Sequence, residues 1–456
     1  MTDTRCFGID LGTTNSAIAL TVAGVPRVVE VAQLVEAGVV AKRLLLASAT
    51  YLPFKGEFPQ GLLSKDATLQ LPDYFVGAFA RDHGAFSPER LVSSAKSWLC
   101  QSIVERNDAI LPWGASDEVT KISPVEASAT YLSHLVHATA SELGISTAEV
   151  LSSPVVITVP ASFDEVARNL TARAAQLVGL ADPVLLEEPL AAFYAWLARH
   201  ENSWREELKP GDVVLVCDVG GGTADFTLIA VTEHNGELTL ERVSVGEHIL
   251  LGGDNMDLAL AETLRGQLED QGRELDTWQF RSLVHQSRIA KELILADPTR
   301  DMVTIGIAGK GSSLFSSALS VAVERQLVER LLVDGFFPLV DRSATPLERR
   351  TGLREIGLNY AADPGITRHL AAFLSKSAKI VQHQPRFAQL LSAADETITP
   401  SAVLFNGGVF KSNLLREAVC SQLRHWSGGT GLRELDGAGD YYAGEFYDGA
   451  CALGAA

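Results

Sequence analysis

The sequence predicts an α/β protein of two similar lobes around a shared cleft. Two observations predict it. Residues 213–231, VVLVCDVGGGTADFTLIAV, read as a β-branched strand, a glycine turn and a second strand. Residues 7–20, FGIDLGTTNSAIAL, repeat that layout: apolar strand, Asp10, Gly12, the hydroxyl residues Thr13 and Thr14, then a second apolar strand. A weak internal repeat of this kind implies two lobes, each presenting an Asp-and-Gly hairpin to a shared site.

The chemistry of the pair points to phosphate. Gly220, Gly221 and Gly222 free the backbone to turn its N–H groups toward one spot, forming an anion-binding nest. Asp10 matches Asp218 in position, Gly12 matches Gly220, and Thr13 or Thr14 matches Thr223; Asp225 follows the glycines. Carboxylates beside a phosphate need a counter-charge, and Mg²⁺ supplies one by bridging oxygen ligands to phosphates, often through water. Taken alone, either stretch is equally an ordinary hairpin with a glycine turn.

Composition bounds the rest. The chain has 456 residues, 46% hydrophobic and 21% charged, with a formal charge of −18. It is long enough to bury a large core, and its acidity argues against a nucleic-acid binder. The five cysteines show no CxxC spacing, so they read as buried free thiols rather than a disulfide framework or zinc site. The first residues lack a basic-then-apolar signal pattern, and no apolar run approaches the roughly 18 residues of a membrane span. A cytoplasmic protein without a membrane partner is expected.

Beyond the hairpins, further stretches complete a pattern: VITVPASFDEVARNLTARAAQLVGL at 156–180, EEPLAAFYAW at 187–196 and VLFNGGVFKSNLLREAV at 403–419. Together with GIDLGTTNS and DVGGGTADFT they resemble the nucleotide-binding domain of the DnaK-type heat shock protein 70 chaperones, within the superfamily that also holds actin and the sugar kinases. The matches span nearly the whole chain, as in a divergent bacterial-like member. The resemblance implies an actin-like ATPase fold, two lobes each with a mixed β-sheet flanked by helices around a central nucleotide cleft, with ATP/ADP and Mg²⁺ as ligands and K⁺ as a further candidate ion.

In chain order, residues 25–31 read as a third strand, and 32–72 as an insertion of strands and loops. Residues 75–99 resemble a family segment ending in a helix with one lysine, which implies that Lys96 meets the β- and γ-phosphates. Ser123 and Glu126 form a capping box for a helix over 123–143. A strand is expected at 154–160, a helix at 163–178 and a strand at 184–186. Pro189 then opens a helix, and the resemblance places Glu188 near the metal and the attacking water. The polar stretch 201–212 divides the lobes. The second lobe continues with a strand at 238–245 and a helix after Gly252 and Gly253, whose N-terminus suits phosphate or ribose oxygens. On the helix 277–296 the family grips adenine and ribose with a lysine, an arginine and a serine. Arg288 and Lys291 are the counterparts here, and Ile294 stands where the serine is expected, which weakens adenine selectivity. A helix is expected at 321–333, a surface insertion at 334–364 and a helix from 365. After the strand 402–405, Gly407, Gly408 and Lys411 match the adenosine loop. A helix at 414–426 follows, and the small residues of 448–456 close the domain.

The expected organisation is a first lobe over 1–208 with a return at 430–456, and a second lobe over 209–429, with no peptide-binding domain. The abrupt end of the chain reads as a fragment of a longer protein. By resemblance, Asp10, Asp218 and Asp225 hold Mg²⁺ mainly through water. Gly12, Thr13, Thr14, Asn15, the three glycines and Thr223 hold phosphates. Lys96, Glu188, Asp218 and Thr223 carry hydrolysis. The leading reading is an ATP-hydrolysing chaperone domain. Its implied partners are ATP and, within a full-length chaperone, protein clients, a J-domain protein and a nucleotide exchange factor. The alternatives are a small-molecule kinase or a filament-forming ATPase of the same superfamily.

Overall fold

The computed structural model describes residues 5–59, 69, 71, 73–101, 105–200, 203–307, 319–347, 361–392, 396–429, 431–435 and 443–456. Two sheets organise it, and they share one plan. The first runs in the order Val184–Glu187, Val155–Val159, Cys6–Asp10, Asn15–Val22, Val25–Val28. Its first three strands are parallel, and the hairpin strands that follow are antiparallel. The second runs Arg433–Leu435, Ala402–Asn406, Val213–Val219, Ala224–His234, Glu237–Val245, with the same parallel-then-antiparallel pattern. The weak repeat of two hairpins is thus a repeat of whole five-strand paths. The first sheet also pairs Leu46–Ala47 against Asn15–Val22.

Each sheet builds its own core. Phe7, Ile9, Ile18 and Ile157 pack with Tyr131 and Leu135 of the helix Pro124–Leu143. Val214, Val216, Phe226 and Leu228 pack with Leu260 and Leu264 of the helix Gly253–Asp270 and Leu370 of Ile366–Gln382. Helix starts follow the sequence: Ser123 and Glu126 make the expected capping box, and Asp164 caps Glu165–Val178.

The closing helix Ala443–Ala455 lies on both first-hairpin strands and on the helix Glu188–Arg199. Only small residues permit that approach. A Cβ at Gly8 would sit 2.2 Å from the Ala452 carbonyl oxygen, and one at Gly454 would sit 1.7 Å from that of Ala191.

Several expectations change. Residues 25–31 split into Val25–Val28 and the start of Val31–Glu36, a strand of a separate two-stranded sheet. The expected helix at 321–333 begins as a strand, Leu319–Glu324, paired with Met302–Ile307, and turns helical at Arg325–Phe336. The cause is period-two burial: Val321 and Val323 face the core while Ala322 and Glu324 face solvent. Phe336 and Phe337 are buried, so residues 334–364 start inside the core rather than at its surface. Leu353, Ile356 and Leu358 of that stretch lie outside the described residues. Arg433–Leu435 belongs to the second sheet, so the return expected from 430 begins after it. In the polar stretch 201–212, Trp204 and Leu208 are buried. Of the cysteines, Cys217, Cys420 and Cys451 are buried, whereas Cys6 and Cys100 are half-buried.

Candidate functional site

The two hairpin turns touch. A Cβ at Gly221 would fall 1.8 Å from Thr14 Oγ1, and one at Gly222 would fall 2.8 Å from Thr13 Cγ2 and 2.7 Å from Ser97 Oγ. Side chains larger than hydrogen at these turns would push the hairpins apart. Gly12 is equally confined, since a Cβ there would lie 2.1 Å from the Asn15 carbonyl oxygen. Ser48 fixes this first turn by donating from Oγ to the Gly12 carbonyl (2.8 Å) and from its N–H to that of Thr14 (2.9 Å). Thr223 closes the second turn, its carbonyl accepting from Gly220 N at 2.9 Å.

Beneath the turns lies a buried charge cluster. Asp10 ends the strand Cys6–Asp10 and accepts a bond from Thr158 Oγ1 at 2.9 Å. Asp218 accepts from Asn406 Nδ2 at 2.8 Å. Lys96, from the helical turn Ala95–Trp98, donates to Glu188 at the start of Glu188–Arg199. Burial pushes all three carboxyl groups up, Glu188 to about 8 and Asp218 to about 7; neighbouring acids raise these two further, whereas Lys96 and the Thr158 bond hold Asp10 back. Burial works against the Lys96 charge, but Glu188, Asp10 and Asp218 outweigh it and raise its pKa.

Three carboxyl groups therefore share one ammonium in a dry setting, which is a charge deficit that a divalent cation would fill. Oxygen donors of this kind suit Mg²⁺. Among the described residues no three Asp, Glu, His or Cys side chains converge closely enough to chelate a metal directly. Asp225 stands opposite Asp218 across the second hairpin and raises its pKa; it also accepts from Ser162 Oγ and faces His248 Nδ1 at 3.6 Å. Burial opposes the His248 charge, but the bond to Asp225 lifts its pKa to about 10.

The helix Gly253–Asp270 is pinned to the second turn. Gly253 N donates to the Gly220 carbonyl at 3.0 Å and Asp254 N to that of Gly221 at 2.7 Å. A Cβ at Gly252 would lie 2.5 Å from the Gly221 oxygen. Arg288 donates to Asp254 (3.2 Å) and to Thr14 Oγ1 (3.4 Å), crossing between the hairpins. Lys291 is held by Asp257 at 2.6 Å and by the Gly253 carbonyl at 3.1 Å. Gly407 adopts φ +87°, and a Cβ there would meet the Val219 carbonyl oxygen at 2.3 Å. Gly408 and Lys411 bound the helical turn that follows. Two residues fall elsewhere. Asn15 lines a separate cavity of 480 Å³ with Gln33 and Lys42, and Ile294 is wholly buried in the second core.

A second cavity, of 270 Å³, opens on Thr13 and Thr14 and is walled by Trp98, Trp113, Phe280 and Arg288. Ser48, Ser97 and Asp257 were not legible as site residues, because tertiary folding alone brings their side chains in; Asp254 and Asn406 adjoin the glycine pairs already read as binding residues, but their partners lie far away in sequence.

Comparison with known proteins agrees with this geometry. Residues 6–348 match the family model described as Hsp70 protein. The chain belongs to the Hsp70 family. Its fold is accordingly the actin-like ATPase fold, mixed α/β with the two-sheet plan above. This Hsp70-family chain is 30% identical over 354 residues to "Chaperone protein HscA" of Pectobacterium carotovorum subsp. carotovorum, covering 75% of the chain and 50% of that protein. It is 29% identical over 369 residues to "Chaperone protein HscA homolog" of Burkholderia lata, covering 79% and 51%. The chain thus spans about half the length of the curated relatives it matches. Among the described residues no helix is long and apolar enough to cross a membrane.

Proposed function

We propose that this domain binds ATP between the two hairpins and hydrolyses it to ADP and phosphate in a Mg²⁺-dependent reaction. The observation that carries the reading is the buried Lys96–Glu188 pair, with Asp10 and Asp218, directly under two touching glycine turns. Thr13, Thr14, Thr223 and the turn N–H groups would grip the β- and γ-phosphates. An ammonium has three donors, so Lys96 can keep Glu188 and still reach a phosphate oxygen. Glu188 and Asp218 would accept from the attacking water and orient it. Asp10 and Asp218 would hold Mg²⁺ through its waters, and the ion would supply charge neutralisation for the transferring phosphoryl group. Arg288, Lys291, Gly252, Gly253, Gly407 and Gly408 would line the nucleoside side. With Ile294 buried, no hydroxyl comes from that position, so discrimination among bases is expected to be modest.

The lobes would comprise residues 1–208 with the closing helix, and the chain between them. Closure about the nucleotide would be the output. In a full-length chaperone that movement would be passed to protein clients and tuned by a J-domain protein and an exchange factor in the cytoplasm. K⁺ is a further candidate ion. Calorimetry with ATP, GTP and Mg²⁺-free ATP tests the binding: Mg²⁺-enhanced ATP binding is expected, and no binding by folded protein would overturn the reading.

One observation favours a second reading. The 270 Å³ cavity beside Thr13 and Thr14 would suit an acceptor molecule, as in a small-molecule kinase of the same superfamily. Phosphate release without any added acceptor separates hydrolysis from transfer.

A further inference from the structure

We propose that Asn406 is a positioning residue for the Asp218 carboxylate, and that through Cys451 it ties this carboxylate to the first lobe. The inference rests on the reading of the cleft as a Mg²⁺–nucleotide site. Asn406 ends the strand Ala402–Asn406 and stands beside Asp218 in parallel register. It is buried, and a buried amide must find partners. Its Nδ2 donates to Asp218 Oδ2 at 2.8 Å and to Cys451 Sγ at 3.2 Å. A side-chain amide nitrogen has two N–H groups, and these two acceptors use both. The network also fixes the amide's orientation, because its oxygen placed against a carboxylate oxygen would repel.

The line continues. The Cys451 thiol, on the closing helix, donates to the Glu188 backbone carbonyl at 3.6 Å. Glu188 in turn holds Lys96. Asp218 of the second sheet and the Lys96–Glu188 pair of the first are therefore joined by Asn406 and Cys451, beneath the hairpins. Gly407 completes the arrangement. A Cβ there would lie 2.8 Å from Asp218 Oδ1, so only glycine leaves the space beside that oxygen clear. One carboxylate oxygen is committed to Asn406, and Gly407 leaves the other uncrowded. An apolar side chain at 406 would leave Oδ2 buried without a donor and the carboxylate free to rotate. Partners of this outer kind typically change metal affinity or activity by about 10-fold or more when removed.

The test compares the parent with Asn406→Leu, which keeps the branching but has no donor, and with Cys451→Ser and Cys451→Ala. Two readouts are taken: the rise in Tm with ADP alone and with Mg²⁺–ADP, and the Mg²⁺ concentration for half-maximal hydrolysis with KM and kcat. In Asn406→Leu the ADP-alone shift is expected to stay at the parent value. The extra shift from Mg²⁺ should be lost and the Mg²⁺ requirement should rise about 10-fold, with kcat falling more than KM changes. Cys451→Ser, which can both accept and donate, should retain the parent Mg²⁺ requirement, and Cys451→Ala should raise it. Should Asn406→Leu not fold, Asn406→Ser keeps a shorter donor and should show a smaller rise of the same kind. Parent-like Mg²⁺ shifts in the folded Asn406 variant overturn the proposal alone. A parent that gains no Tm from ADP, with or without Mg²⁺, overturns the nucleotide reading, and this proposal with it.

Discussion

Lys96 is the residue on which the site's electrostatics turn. It is the cation that Glu188, Asp10 and Asp218 all raise, and burial makes each of those charges costly when unpaired. Lys96→Ala is expected to slow single-turnover ATP hydrolysis about 10²–10³-fold. ATP binding, read by calorimetry, should persist, because the turn N–H groups and the hydroxyls of Thr13 and Thr14 remain. Normal hydrolysis would remove Lys96 from the chemistry. Asp10→Asn and Asp218→Asn should each weaken Mg²⁺-dependent hydrolysis and leave the melting transition cooperative. Asp10 and Asp218 were legible in the sequence because each precedes a glycine turn in a repeated layout. Ser48 and Asn406 were not, because their roles depend on strand neighbours far away in sequence. Asn15 was drawn in by its place next to the threonines, but it begins a strand and lines a different cavity.

At the scale of elements, capping carried the reading and pairing eluded it. The box Ser123–Glu126 is a local pattern, visible in four residues. The strand Leu319–Glu324 exists through its partner Met302–Ile307, so its short alternation was absorbed into the helix that follows. Residues 334–364 show the same limit: the prolines suggested a surface excursion, yet tertiary contacts bury both ends. Phe336→Ala should cost about 3–5 kcal/mol in denaturant unfolding. At the far end, Asp363 accepts from Leu347 N (2.8 Å), Gly365 N (2.9 Å) and Arg368 Nε (2.6 Å). Burial alone would raise the Asp363 pKa, but the Arg368 bond and the backbone N–H groups bring it below the usual carboxylate range. A carboxylate lowered on folding stabilises above its unfolded pKa, and that contribution fades as pH falls through the folded value. Asp363→Ala should therefore lower stability by about 3 kcal/mol at pH 7. Its deficit against the parent should shrink below roughly pH 4 in denaturant titrations at stepped pH. A deficit independent of pH would assign the loss to packing alone.

Across the whole molecule, the shared plan of the two sheets explains why a short repeat in sequence carried so far. A hairpin at the same place in each five-strand path brings two Asp-and-Gly turns face to face, and the closing helix packs on the first hairpin's strands and, through Gly454, on the helix Glu188–Arg199. Fold class was legible because this duplication is written in strand-forming residues and turns. The side proposed for the nucleoside was less legible, since Arg288 and Lys291 are engaged by Asp254 and Asp257 in contacts that no local pattern announces. The account's central claim is Mg²⁺-dependent ATP hydrolysis at the touching hairpins. Its most direct test is single-turnover hydrolysis of ATP, without any acceptor, by the parent and Asp218→Asn with and without Mg²⁺. The account predicts phosphate release by the parent only with Mg²⁺ and its loss in Asp218→Asn. Equal hydrolysis by both folded proteins, or none by the parent, would contradict it.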